Sequence, residues 1–129
     1  MTGVLAGVHR PAATPGARLL RIMEAHAGGR PVEVLLYGAG KHTARLLAER
    51  HVWESRGHRV VGLIDDHPRF AEGGMYLDLP VSSARSMERR MATSRERPVV
   101  VLSTDTYQDQ FWTQTKALRE AGVAVFRLY

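Results

Sequence analysis

The sequence contains no cysteine, and that absence excludes several kinds of chemistry. Disulfide bonds, thiolate catalysis, iron–sulfur clusters and cysteine-ligated zinc all require a residue that this chain lacks. The absence fits a reducing compartment, so we expect a cytoplasmic protein. No apolar run reaches the ~18 residues of a membrane-spanning helix, and the first residues lack the charged start and apolar core of a signal peptide. We therefore expect no membrane partner.

The residue patterns of metal sites and hydrolases are missing as well. None of the six histidines forms an H-x-x-x-H or H-E-x-x-H pair, so we expect no metal site. Ser103 is not in a G-x-S-x-G turn, and nothing fixes a triad of Ser103, His42 and an aspartate. A Walker A loop is excluded because Leu35 and His42 stand where that motif needs glycine and Ser or Thr. We therefore predict no catalytic residues.

The length of 129 residues fits one domain, since single domains cluster near ~100–150 residues. A complete two-domain dehydrogenase would need a longer chain. We expect residues 1–13 to form a flexible tail, because they contain scattered glycine and proline without periodicity. Residues 14–129 are predicted to form a single domain, with a leading helix at 14–28.

The net charge is +5, and its distribution is uneven. Residues 1–59 contain nine basic and four acidic residues, whereas nine of each follow. The positive charges are scattered, which disfavours nucleic acid as a partner. One basic cluster is interrupted by Glu88 and Glu96 and is typical of a solvated helix face; its members are Arg85, Arg89, Arg90, Arg95 and Arg97.

Short apolar segments alternate with helical ones along the chain. The predicted strands cover residues 32–37, 59–64, 79–81, 97–102 and 123–128, and the helices that follow the leading one cover 41–54, 83–92 and 107–121. This alternation predicts a three-layer α/β fold, in which helices cover both faces of a parallel sheet. Right-handed crossovers favour the strand order 3-2-1-4-5.

A glycine-rich loop lies between the first predicted strand and the next helix, with the sequence Gly38-Ala39-Gly40-Lys41-His42-Thr43. Gly38 permits a tight turn, and Gly40 allows a phosphate to approach the backbone closely. Free amides and the positive end of the helix attract the anion. His42 either contacts the ligand or lies on the first helical turn.

Thr43 departs from the dinucleotide fingerprint G-x-G-x-x-G/A, whose sixth position packs the helix closely on the strand. A larger residue there predicts that the helix stands off slightly, or that the Thr43 hydroxyl faces a phosphate.

Asp65 and Asp66 follow the second predicted strand. An acid there hydrogen-bonds a ribose hydroxyl in dinucleotide-binding folds and disfavours a 2′-phosphate, which favours NAD over NADP. Arg69 nearby weakens that preference. The alternative is that the two aspartates only begin a turn.

Polar residues also follow the fourth predicted strand, in the order Ser103, Thr104, Asp105 and Thr106. If the first and fourth strands are neighbours, Ser103–Asp105 form the opposite wall of the site, because ligands bind where the strand order reverses. Asp105 and Gln108 also match a capping box, and the two roles are compatible.

Residues 32–129 resemble small Rossmann-like nucleotide-binding domains, in the segments VLLYGAGKHTARLL, VVGLIDD, LPV and VVVLSTDTYQDQ. The pattern is similar to the N-terminal nucleotide-sugar-binding domain of sialic-acid-type sugar O-acyltransferases and to related NAD(P)-binding-like domains. This resemblance implies a nucleotide site at Gly38, Gly40, Asp65 and Asp66. The acyltransferases have another glycine where Lys41 or His42 stands. Their catalytic hexapeptide repeats are absent here, so the resemblance does not imply acyl transfer.

The sequence therefore predicts a nucleotide-binding module without complete catalytic machinery, with NAD or a nucleotide-sugar as the ligand. Two alternatives remain open. One is a small NAD-dependent oxidoreductase whose site is completed across a homodimer. The other is a degenerate domain that assembles with a partner enzyme and binds no nucleotide.

Overall fold

The structure is a computed structural model that describes residues 14–70, 73–95, 97–104 and 107–129. The predicted tail at residues 1–13 lies outside the described residues, as do Asp105 and Thr106.

The leading helix, α1 (Pro15–Ala27), begins and ends as its sequence predicts. The Thr14 hydroxyl accepts a hydrogen bond from the Ala17 amide, and Gly28 follows the last turn in the left-handed conformation. Leu19 and Met23 lie one turn apart and are fully buried.

A buried histidine joins α1 to the sheet. His58 Nδ1 accepts a hydrogen bond from the Val32 amide at 3.0 Å, and its Nε2 lies 3.2 Å from the Glu24 carboxylate. His58 therefore has a structural role.

Six strands form one sheet: β1 (Glu33–Tyr37), β2 (Arg59–Ile64), β3 (Met75–Tyr76), β4 (Leu79–Ser82), β5 (Val99–Leu102) and β6 (Val125–Arg127). Their spatial order is β3-β4-β2-β1-β5-β6, and every neighbouring pair is parallel except β3 with β4. Without β3, this order confirms the predicted 3-2-1-4-5 arrangement. Tyr37 pairs with Ile64 on one side and Leu102 on the other, so three strands end at one level.

In the described residues, five helices follow α1: α2 (Lys41–Leu47), α3 (His51–Glu54), α4 (Ala84–Thr93), α5 (Gln108–Gln114) and α6 (Lys116–Glu120). On one face of the sheet the core includes Leu46 and Trp53 with the α1 residues. On the other face it includes Met87, Met91 and Leu118. Helices thus cover both faces, as predicted.

Two predicted helices are each divided. Within residues 41–54, the amides of Glu49 and Arg50 donate to carbonyls three residues back, which tightens the turn between α2 and α3. Within residues 107–121, Thr115 interrupts the helix between α5 and α6.

The β3–β4 hairpin is a further difference, because the sequence predicts one short strand at residues 79–81 and no strand before it that pairs with it. Leu77 and Asp78 make its two-residue turn with φ of +50° and +63°. Positive φ at both positions is typical of a type I′ turn, which usually contains asparagine and glycine.

In the described part of the chain, no helix is long and apolar enough to cross a membrane.

Candidate functional site

The glycine loop lies where β1 ends, between the segments that follow β2 and β5. Gly38 has φ of +110°, and a Cβ atom there would lie 2.6 Å from Thr104 Cγ2. Its amide donates to the Ile64 carbonyl at 2.8 Å. Only glycine fits this position without strain or displacement of a neighbour.

Gly40 has a different role from Gly38. Its φ of −145° and ψ of −163° are extended values that any residue adopts. A Cβ atom at Gly40 would meet nothing within 4 Å. The fold therefore does not require glycine here, and open space lies beside the backbone.

Thr43 and Ser103 support the loop from inside the protein, and both are fully buried. The Thr43 hydroxyl lies 2.8 Å from the Gly38 carbonyl oxygen and 2.8 Å from the Ser103 hydroxyl. The Ser103 hydroxyl lies 3.1 Å from the Tyr37 carbonyl oxygen. The Thr43 hydroxyl therefore points into the protein and does not face the space where a phosphate is expected. Ser103 is buried beneath the loop and supports it, so its side chain does not line the opposite wall of the site as predicted.

Asp65 joins the segment after β2 to the glycine loop. The Ala39 amide donates to Asp65 Oδ2 and the His67 amide donates to Oδ1, both at 2.8 Å. Each carboxylate oxygen has a second lone pair for another donor. Asp65 is therefore fixed in orientation beside the loop and still has acceptor capacity.

The Asp66 side chain points away from the glycine loop, toward the start of α4 and Tyr37. Its Oδ1 accepts from the Ala84 amide at 2.8 Å, at the first residue of α4. Its Oδ2 lies 3.2 Å from the Tyr37 hydroxyl, which also lies 2.8 Å from Gln114 Oε1. Burial raises the pKa of Tyr37 well above its usual value, and the Asp66 charge raises it further. Tyr37 therefore remains a protonated donor, and the two aspartates do not act as a pair.

The segment between β2 and β4 folds against the glycine loop. Arg69 Nη2 donates to the Ala39 carbonyl, and its guanidinium lies 4.7 Å from the centre of the Phe70 ring. The Tyr76 hydroxyl donates to the Gly40 carbonyl at 3.4 Å. A positive charge and a phenol thus lie beside the loop. The sequence analysis identifies Arg69 as a charge near Asp65, but no sequence pattern indicates that Tyr76 contacts the glycine loop.

The remaining predicted residues lie around the loop. Lys41 is exposed and His42 half-buried on the first turn of α2, and the His42 ring lies 6.3 Å from the Tyr129 ring. Thr104 is half-buried and packs against Gly38.

A cleft of about 630 Å³ begins at Asp65 and Asp66 and extends between the following segment, β4 and α4. Its lining includes Ser82, Phe70 and the arginines of α4, but none of the glycine-loop residues.

Among the residues that the structure describes, no group of three histidine, aspartate or glutamate side chains could hold a metal ion.

Comparison with known proteins finds no matching family model and no matching curated protein. Solved structures of RSP, a Rex-family repressor, do match. One has a TM-score of 0.59 at 21% identity, over 84% of this chain and 51% of RSP. RSP in complex with beta-NADH has a TM-score of 0.56 at 20% identity, over 84% of this chain and 52% of RSP.

A third structure, RSP with beta-NAD⁺ and operator DNA, has a TM-score of 0.57 at 20% identity, over 83% of this chain and 48% of that one. The chain thus spans about half the length of RSP. These structures do not show the expected likeness to sugar O-acyltransferases. At this level of identity, the likeness together with the observed strand order shows that the chain has a Rossmann-like α/β fold.

Proposed function

We propose that this chain is a nucleotide-binding module that holds the diphosphate of its ligand at the glycine loop. The observation that carries the proposal is the contrast between the two glycines. Gly38 fixes the shape of the loop through its positive φ, whereas Gly40 leaves open space beside the backbone. Close approach of a phosphate to the main chain requires such space.

The topology supports the same position. β2 and β5 flank β1 on opposite sides, so the loops after β1 and β5 diverge at this point of the sheet. Ligands of open α/β sheets bind in the crevice at this switch point, outside the carboxyl ends of the strands. Among the described residues, none accepts a hydrogen bond from the amides of Gly40 or Lys41. These two amides are donors for a phosphate.

A dinucleotide of the NAD type is the ligand that the observations favour. Asp65 retains lone pairs beside the loop, where an acid accepts a ribose hydroxyl. Structures of RSP, which share the fold, contain beta-NADH and beta-NAD⁺. A nucleotide-sugar has no comparable support.

RSP is also a repressor that binds operator DNA, so our expectation against nucleic acid gains no support from the comparison. This chain spans about half of RSP, and we propose nucleotide binding alone for it. The oxidoreductase with a shared homodimer site and the degenerate assembly domain stay predictions, because no observation on the described residues favours either.

Replacing Gly40 by valine tests the proposal. The extended φ of −145° suits a β-branched residue, and its Cβ meets nothing within 4 Å. We therefore expect the variant to fold normally and to lose nucleotide binding, because the side chain fills the space that the phosphate needs. Binding is measured as a rise in the melting temperature with NAD⁺ or NADH. A ligand at about 100 times its Kd adds about 2.7 kcal/mol of stability.

A matched control is Ala48→Val, an equivalent enlargement at an exposed residue just after α2. It should keep the full ligand-induced rise in melting temperature. Retained binding in Gly40→Val would remove the glycine loop from the site. Absence of binding in the wild-type chain with every nucleotide tested would favour the degenerate, partner-binding alternative.

A further inference from the structure

The cleft beside Asp65 and Asp66 has a basic wall on its α4 side. Arg85 and Arg89 are four residues apart and therefore share one face of the helix, and Arg90 lies next to them. All three line the cleft and are exposed. The opposite face of α4 is buried in the core through Met87 and Met91. The fold therefore orients these arginines toward the cleft.

Among the residues that the structure describes, no carboxylate neutralises these arginines. In the described residues, none of the three pairs with a carboxylate, and Arg89 makes only a 3.4 Å hydrogen bond to the Ser86 hydroxyl. Glu88, which interrupts the cluster in the sequence, is half-buried, does not line the cleft, and contributes to the raised pKa of Tyr37. Like charges one turn apart repel each other, and a bound anion relieves that repulsion.

The two aspartates at the mouth of the cleft already have donors. Asp66 accepts from Tyr37 and Ala84 and so caps α4. Asp65 accepts from two main-chain amides. His67 adds a donor, since its Nδ1 accepts from the Arg69 amide at 3.0 Å and the proton of the neutral ring therefore lies on Nε2. His67 also lines the cleft.

From this arrangement we propose that the cleft binds a phosphomonoester on the adenosine ribose of the ligand. This inference rests on the proposed function, because the diphosphate at Gly40 and one ribose hydroxyl held by Asp65 together fix where the ribose lies, and the other ribose hydroxyl carries the phosphate. A phosphate on that ribose enters the cleft that begins at Asp65 and meets the guanidinium groups of α4. Guanidinium groups are well suited to phosphate because they donate several hydrogen bonds in a fixed geometry.

Two sources supply this chemistry, namely a 2′-phosphorylated dinucleotide and a 3′-phosphorylated coenzyme A. From the sequence, Asp65 favours NAD over NADP, with Arg69 opposing that preference. The structure places Arg85, Arg89 and Arg90 along the cleft, which supports the phosphorylated ligand, whereas Arg69 donates to the glycine loop and does not line the cleft.

Isothermal titration calorimetry of the whole chain with matched ligand pairs tests the proposal. The pairs are NADP⁺ with NAD⁺, and coenzyme A with its 3′-dephospho form, so that each pair differs by one phosphate. We expect the phosphorylated member of one pair to bind about tenfold more tightly, the scale of one charge-assisted hydrogen bond. The pair that shows the difference identifies the source of the phosphate.

The double variant Arg85→Gln/Arg89→Gln should abolish that difference and leave the affinity for the unphosphorylated member unchanged. The control Arg95→Gln removes one charge from the same sequence cluster outside the cleft and should retain the difference. Equal or weaker binding of the phosphorylated member in both pairs would overturn this inference and leave the proposed function intact. Failure of all four ligands to bind would overturn both.

Discussion

The hydroxyl groups of Thr43 and Ser103 are buried under the glycine loop, where they hold the Gly38 carbonyl. Thr43 thereby replaces the close packing of the usual third glycine with a hydrogen bond to the loop. The sequence predicts that residue 43 matters, but not the direction of its side chain, because that direction depends on Ser103, 60 residues away. Tertiary contacts of this kind leave no local signal.

Thr43→Val keeps the shape of the side chain and removes its hydroxyl. The Gly38 carbonyl and the Ser103 hydroxyl then lose a buried partner, so we expect unfolding to require about 1–3 kcal/mol less free energy. Urea denaturation measures the loss. Thr113→Val is the control, since the Thr113 hydroxyl is exposed and bonds only within its own helix, and it should cost much less. Equal losses in the two variants would contradict the bracing role of Thr43.

Tyr37 is expected to ionise above the ordinary tyrosine pKa of 10.0, because burial and the Asp66 charge raise its pKa. A raised pKa in the folded state means that the stabilising contribution is complete below pH 10 and is lost at higher pH, as the unfolded chain ionises first. Ultraviolet titration of the wild type and of Tyr37→Phe measures this. An ionisation near pH 10 that is present in the wild type and missing from Tyr37→Phe would contradict the expectation.

At the scale of elements, the strands are predicted more accurately than the turns between them. Residues 59–64 form a strand with the predicted bounds, because their apolar run and the following aspartates are both local signals. The β3–β4 hairpin has no such signal, since Leu77 and Asp78 lack the usual turn chemistry. The division between α2 and α3 shares this limitation, because it falls at residues 48–50, which are good helix formers.

The hairpin turn offers a direct test. The double variant Leu77→Asn/Asp78→Gly replaces two residues in the left-handed region by the pair that a type I′ turn prefers. We expect the free energy of unfolding to rise by about 1 kcal/mol, since left-handed φ strains ordinary residues. Thermal denaturation measures the change. A lower free energy of unfolding in the double variant would contradict this expectation. It would show that the contacts of the Leu77 side chain stabilise the fold by more than its backbone strain destabilises it.

At the scale of the whole molecule, the alternation of strands and helices was enough to predict a doubly wound sheet and its order. The meeting of the segments after β1, β2 and β5 at one edge follows from that order. The different roles of the loop residues do not follow from the strand order. Gly38 and Asp65 fix the shape of the loop, whereas Gly40 leaves open space beside it. These roles depend on side-chain directions and on the contacts that Arg69 and Tyr76 make with the loop.

Amide NMR during titration with NADH or NADPH tests, residue by residue, whether a nucleotide binds against the glycine loop. We predict that the largest chemical-shift changes fall on Gly38–Thr43 and on Asp65, at the edge where β1 and β2 end. Helix α1 contacts the sheet through His58 and Glu24 and should show little change. Saturable changes confined to other surfaces, or no change with either nucleotide, would contradict nucleotide binding at the glycine loop.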